Sequence, residues 1–207
     1  MGQQYDPRKV FTAIHHKVTS ELLHLMDGFY SNIEDGLFEL AYRNESDEKL
    51  HKRYFDLMRE MRYRRSNLIK AFAKRMQRGV DYWLGEKLEF DTEYDVEYDE
   101  LARSMSQKST SHFNFLLQDI TERTAAATNR LAADVIVPVS PYQISYNFLA
   151  SCRSLDFDKS SIELVQELFE RFVLDRMGSV YGDCNRRLEE CGFHPRTDED
   201  EELATSA

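Results

Sequence analysis

Residues 50–76 read LHKRYFDLMREMRYRRSNLIKAFAKRM, and the spacing of their apolar side chains decides the fold. Leu50, Tyr54, Leu57, Met58, Met61, Leu68, Phe72 and Met76 fall three, four or seven positions apart, winding onto one stripe of a helix. Ser46 is expected to cap this helix, with Asp47 and Glu48 in its first turn where the dipole favours negative charge. Gly79 is a natural stop. A helix of this length needs neighbours of its own kind to cover its apolar side.

The rest of the chain supplies them. Asp6-Pro7 reads as an N-cap followed by proline at the first helical position, and Phe11, Ile14, Val18, Leu22, Leu25 and Phe29 then form an amphipathic stripe. Asp27-Gly28 and Asp35-Gly36 are expected to kink or break that helix before Ile33, Leu37 and Phe38 continue the apolar pattern. Downstream, Ser111 precedes a stripe of Phe115, Leu116, Ile120, Ala127 and Leu131. Val135 to Val139 is apolar but interrupted by Pro138, so it reads as a buried loop and not a central strand. Ser140-Pro141 opens another helix through Ile144, Phe148 and Leu149. Ser160-Ser161-Ile162-Glu163 matches a capping box leading one long helix through Leu164, Leu168, Phe172, Met177, Tyr181 and Leu188 to Gly192. The reading is an all-α bundle of about five to seven long amphipathic helices. It forms a single domain over residues 1–195, followed by an acidic tail over 196–207.

One segment resists that pattern. Residues 86–100, EKLEFDTEYDVEYDE, alternate acidic with apolar side chains, a strand signal on its face. No second strand exists to pair with it, and an isolated strand leaves its backbone groups unsatisfied. The expectation is an extended acidic segment over 81–100, laid across the bundle between two helical halves. Phe90, Tyr94 and Tyr98 would face the helices and the intervening acids would face water.

Composition narrows the function. The chain has 207 residues, 42% of them hydrophobic and 12% aromatic, enough for a real core. A formal charge of −10 argues against general nucleic-acid binding by the whole surface. The start, MGQQYDPRKV, lacks the charged head and apolar run of a signal peptide. Asp6 stands where a myristoylation motif needs Ser or Thr, and no apolar run is long enough to span a membrane. Cys152, Cys184 and Cys191 are an odd number without a C-x-x-C, so neither disulfides nor zinc are indicated and a cytoplasmic protein is expected.

Charge is segregated along the chain. Between Lys49 and Arg78 stand eleven basic residues and two acids, a net +9, and residues 81–100 carry a net −8. The candidate interaction residues are Arg59, Arg62, Arg64, Arg65, Lys70, Lys74, Arg75 and Arg78, with Tyr82 and Trp83 beyond them. They would meet an acidic partner protein or a sister copy's acidic segment. In a second reading, the Arg62–Arg65 cluster grips phosphates while Tyr54, Tyr63 or the Tyr82-Trp83 pair stacks on bases. Against both stands the plain reading, a solvated helix face neutralised by acids of the same molecule and Trp83 as an anchor to the core.

Catalytic chemistry is not signalled. There is no G-x-S-x-G, no phosphate loop and no dinucleotide fingerprint. Two Glu-x-x-His pairs, Glu21/His24 and Glu48/His51, have the spacing of a di-iron bundle, but Glu21 and His24 flank the core stripe and Glu48 suits the helix dipole alone. His15, His16 and His112 lie in polar surroundings and read as surface residues. No catalytic residue, metal or cofactor is expected.

Two blocks carry a resemblance. GLFELAYRNESDEKLHKRYFDLMREMRYRRSNLIKAF (36–72) and ELVQELFERFVLDRMGSVYGDCNRRLEECGFHP (163–195) resemble, in the same order, blocks of the bacterial family known as the domain of unknown function 1631. YDELARSMSQKSTSHF (98–113) parallels it more loosely between them. The similarity runs roughly from Leu25 to Pro195 and places the chain at the N-terminal part of that family, whose members are usually several times longer. The resemblance brings no established activity. Some members have been labelled thymidine phosphorylases, yet nothing in this sequence resembles a nucleoside or phosphate site. The combined expectation is a non-enzymatic interaction or regulatory module of the cytoplasm, with nucleic-acid binding through the same arginines as the alternative.

Overall fold

A computed structural model describes residues 5–86 and 96–195, all-helical among those residues with no strand. Eight α-helices follow in order: α1 (Pro7–Arg43), α2 (Glu48–Arg78), α3 (Val80–Trp83), α4 (Val96–His112), α5 (Asn114–Thr128), α6 (Pro141–Ser151), α7 (Lys159–Phe172) and α8 (Gly178–Glu190). Two 3-10 turns, Ala132–Asp134 and Leu174–Arg176, link the later ones.

α1 is the spine. Asp6 accepts from Arg8 N at 3.0 Å with Pro7 in the first turn, as the sequence suggests. The helix passes through both expected breaks without interruption. At Gly36 the reason is packing: a Cβ there would lie 3.0 Å from both methyls of Leu164, so the glycine admits α7 close to α1. The buried stripe runs through Phe11, Ile14, Val18, Leu22, Met26, Phe29, Ile33, Leu37 and Ala41, with Met26 in the place expected for Leu25.

α2 returns antiparallel along α1, capped by Asp47, one residue after the expected Ser46, which accepts from Lys49 N and Leu50 N at 3.1 Å. Its buried face is the stripe read from sequence: Tyr54, Leu57, Met61, Leu68, Phe72 and Met76. α7 and α8 pack along α1, α6 lies between α2 and α4, and α5 pairs with α8. Phe29, Phe148 and Phe169 bring α1, α6 and α7 together, with Phe148 stacked on Phe169 at 4.1 Å between ring centroids.

Three other expectations are corrected. The long final helix is split after Phe172 by the 3-10 turn Leu174–Arg176, and α8 restarts at Gly178, where a Cβ would come 3.0 Å from Phe113. The capping box of α7 is Asp158 with Ser161, two residues ahead of the predicted one, each bonding the other's backbone at 2.8 Å. Phe115 and Leu131, placed in a core stripe by periodicity, are 81% and 67% exposed, while Ile120 is buried as expected and Thr124 joins it on the buried side. The C-terminal end behaves as read: Gly192, at φ +80°, donates to Glu189 O at 2.8 Å while Phe193 N reaches Leu188 O at 3.0 Å, closing a Schellman motif. All three cysteines are buried.

The acidic segment is not extended at either described end. Val80–Trp83 is a helical turn, and Val96–Glu100 already belongs to α4, where half-buried Tyr98 and Leu101 with buried Ala102 and Met105 restore the helical period. Phe90, Tyr94 and the centre of the alternation lie outside the described residues, as does the 196–207 tail.

Candidate interaction surface

The basic helix α2 presents its cations in two halves that differ in what they touch. In the first half nearly every arginine is already engaged by an acid of the same molecule. Arg53 reaches Asp156 at 3.1 Å in the loop before α7. Arg59 pairs with Asp56 within the helix. Arg62 donates through Nε (2.8 Å) and Nη2 (2.5 Å) to Glu34 Oε2 on α1, and that bond pushes its pKa further up. Arg64 bonds Glu60 at 2.8 Å and Ser154 Oγ at 2.9 Å. Arg65 bonds Asp27 at 2.9 Å and lies over the Tyr30 ring, 5.7 Å from its centroid. These partners belong to α1, to the loop after α6 and to α2 itself.

The second half differs. Lys70, Lys74 and Arg78 are exposed and make no ion pair among the described residues. Successive positions of this set are four apart, so the three cations line one ridge with Asn67 and Tyr63. Tyr63 is 88% exposed, the most exposed large hydrophobic side chain among the described residues. Arg75, set to one side, is half-buried and engaged.

The remaining expected contacts fall elsewhere. Tyr54 is buried and donates to Asp158 at 3.3 Å, so it cannot stack on a base. Tyr82 is half-buried and engaged. Trp83 is fully enclosed, which removes it as a surface stacking platform and makes it an anchor. It stacks on Phe11 at 5.2 Å, its indole N–H donates to His15 Nδ1 at 3.2 Å, and its carbonyl accepts from Arg130 at 2.6 Å.

His15 is the clearest miss. Read as a surface histidine, it has no exposed area, and its Nε2 meets Met76 O at 2.5 Å. Its two polar partners lie 61 and 68 residues away, so nothing in the local string Ile14-His15-His16-Lys17 marks it as buried. His16 and His112 are exposed, as expected.

Other chemistry is sparse. Among the described residues no three His, Cys, Asp or Glu side chains gather as a metal site, and Glu21 and His24 point outward. A groove of about 410 Å³ runs between α1 and α8 over Ile14, Val18, Val180 and Cys184. Its charges are largely committed: Lys17 and Arg186 both bond Asp183, at 2.7 and 2.6 Å, and Arg187 meets Glu190 at 3.4 Å. Among the described residues no helix is long and apolar enough to cross a membrane.

A model of the N-terminal domain of a protein of unknown function, DUF1631, matches residues 6–192, nearly the whole described span. No curated protein and no solved structure matches the chain.

Proposed function

We propose, for a chain that belongs to the DUF1631 N-terminal domain family, a non-enzymatic role as an interaction or regulatory module of the cytoplasm that binds an acidic partner protein through the second half of α2. The observation that carries this reading is the contrast along one helix. The arginines of the first half are consumed by internal acids, whereas Lys70, Lys74 and Arg78 stand on an exposed ridge without ion pairs among the described residues. Exposed cations cost little to hold in water and add mainly rate and selectivity when they meet a complementary surface.

Nucleic acid is the second reading, and one feature favours it: exposed Tyr63 shares the ridge with the cations, as a base-stacking side chain would. The net charge of −10 counts against a long polyanion.

The test is capture from cytosolic lysate with and without nuclease, using wild type beside the K70E/K74E/R78E variant. A discrete protein that survives nuclease and is lost in the variant supports the proposal. Material lost with nuclease, with binding that falls steeply as salt rises, moves the ridge to nucleic acid. Equal capture by the variant removes the ridge from both readings.

A further inference from the structure

The α1–α2 hairpin has two sides. One packs on α6 and α7. The other carries an aromatic patch that nothing in the chain covers among the described residues. Phe38 is 54% and Tyr42 67% exposed, one turn apart on α1. Phe38 meets Phe55 of α2 edge-on, with 5.9 Å between ring centroids, and exposed Tyr63 follows two turns along α2. Single exposed apolar residues are ordinary, but a contiguous group on one face marks a contact surface.

The net charge beside the aromatics differs by helix, although exposed Arg43 stands beside Glu39 on α1 and exposed Asp56 beside Arg59 on α2. Asp35 and Glu39 are exposed on α1, Lys52 and Arg59 on α2. Asp35 and Lys52 make no ion pair among the described residues, and Glu39 and Arg59 reach only near neighbours in their own helices, Arg43 and Asp56.

We propose that this face is a self-association surface, occupied by a second copy of the chain related by a two-fold axis running along the hairpin. Rotation about that axis preserves height, so α1 of each copy lies over α2 of the other at the same level. Contacts within the hairpin fix the levels: His51 Nδ1 bonds Ala41 O at 2.9 Å, Phe55 meets Phe38, and Arg62 bonds Glu34. On that register Asp35 of one copy stands opposite Arg59 of the other, and Glu39 opposite Lys52. Every such contact occurs twice, as in any isologous pair. A partner of one charge sign would suit one helix of the face and repel the other. A second copy suits both, and this charge arrangement is what selects the occupant. The proposal does not depend on the ridge at Lys70–Arg78, which lies beyond the patch.

Sedimentation equilibrium on the full chain tests it. Wild type is expected to form a dimer whose dissociation constant rises at least about tenfold, about 1.4 kcal/mol, in F38E/Y42E. D35K and R59E should each weaken the dimer alone. An equimolar mixture of the two single variants should recover it, because both crossed contacts of a mixed pair are attractive. The substituted side chains are exposed, and unchanged thermal melting verifies the fold; should F38E/Y42E fail to fold, the charge series decides alone. A wild type that stays monomeric at roughly 100 µM, well above the micromolar constants of ordinary interfaces, overturns the proposal. So does a dimer indifferent to these substitutions, or a mixture no tighter than its components. A monomer that captures a different protein through Phe38 and Tyr42 assigns the face to that protein and equally overturns it.

Discussion

Lowering the pH from 8 toward 5 should weaken the corner where α1, α2 and α3 meet, and the weakening should trace to one side chain. Met76 offers His15 a carbonyl that can only accept, so Nε2 carries the hydrogen; Trp83 offers an indole that can only donate, so Nδ1 is bare. Protonation would place a second N–H at Nδ1, facing the indole N–H across 3.2 Å in a site with no exposure. A lost bond with a stranded buried donor costs about 1–3 kcal/mol, before any charge is desolvated. Burial, with a smaller repulsion from His16, accordingly holds the His15 pKa below the ordinary value of 6.5. The sign follows: the unfolded chain takes up the proton first, so the stabilisation is complete above 6.5 and is lost as pH falls below it. One proton limits the slope to about 1.4 kcal/mol per pH unit. Urea unfolding followed by the emission of Trp83, the only tryptophan, reads the same corner directly. His15→Gln, which preserves a donor and an acceptor but does not titrate, should flatten this part of the profile while the other five histidines remain. If wild type and H15Q lose stability in parallel between pH 6.5 and 5, the assignment of His15 as a neutral bridge is wrong.

Three further outcomes are expected. Asp158→Ala removes the cap of α7 and the acceptor of the Tyr54 hydroxyl, and thermal melting should report a loss of about 1–2 kcal/mol, at the upper end for a cap because the Tyr54 bond goes with it. Gly192→Ala meets no atom within 4 Å, so only the left-handed backbone opposes it; a loss of about 1 kcal/mol in urea titration would match, and no loss would contradict the Schellman geometry. Burial pushes the thiols of Cys152 and Cys184 up to about 12, and an aromatic disulfide reagent at pH 8 should modify neither in the native protein and all three cysteines in urea.

The helices were legible where a single face is buried, because periodicity then reports that face: the stripe of α2 matches the sequence reading residue for residue except at its half-buried Leu50 and Met58. What stayed hidden depends on contacts between distant residues. Gly36 looks like a helix breaker until Leu164 is beside it. The alternation near Tyr98 reads as a strand because acids flank each apolar side chain, yet its last five residues, Val96–Glu100, belong to a helix whose stripe becomes plain only further on. The candidate surface divides the same way. Sequence located the cations of α2 and the adjacent run of acids, but Arg62 and Arg65 answer instead to Glu34 and Asp27 of the preceding helix. For these two arginines, proximity along the chain was a poor guide to which charges meet.

The order in which α1 acquires its neighbours has a consequence in time. At 1.5 Å per residue this helix spans roughly 55 Å, and it pairs with α2 immediately but with α8 only through contacts such as Lys17 to Asp183, 166 residues apart. Roughly 100 residues separate the end of α2 from that point, which at ribosomal speed corresponds to roughly 5–20 s. Until α6 and α7 emerge within that interval, a newborn hairpin displays Phe29, Leu37 and their neighbours with nothing to cover them. Such a hairpin is a ready acceptor for the α7 and α8 of another nascent chain, so crowded polysomes should favour swapped pairs, and a holding chaperone would act on this protein before its last third is made.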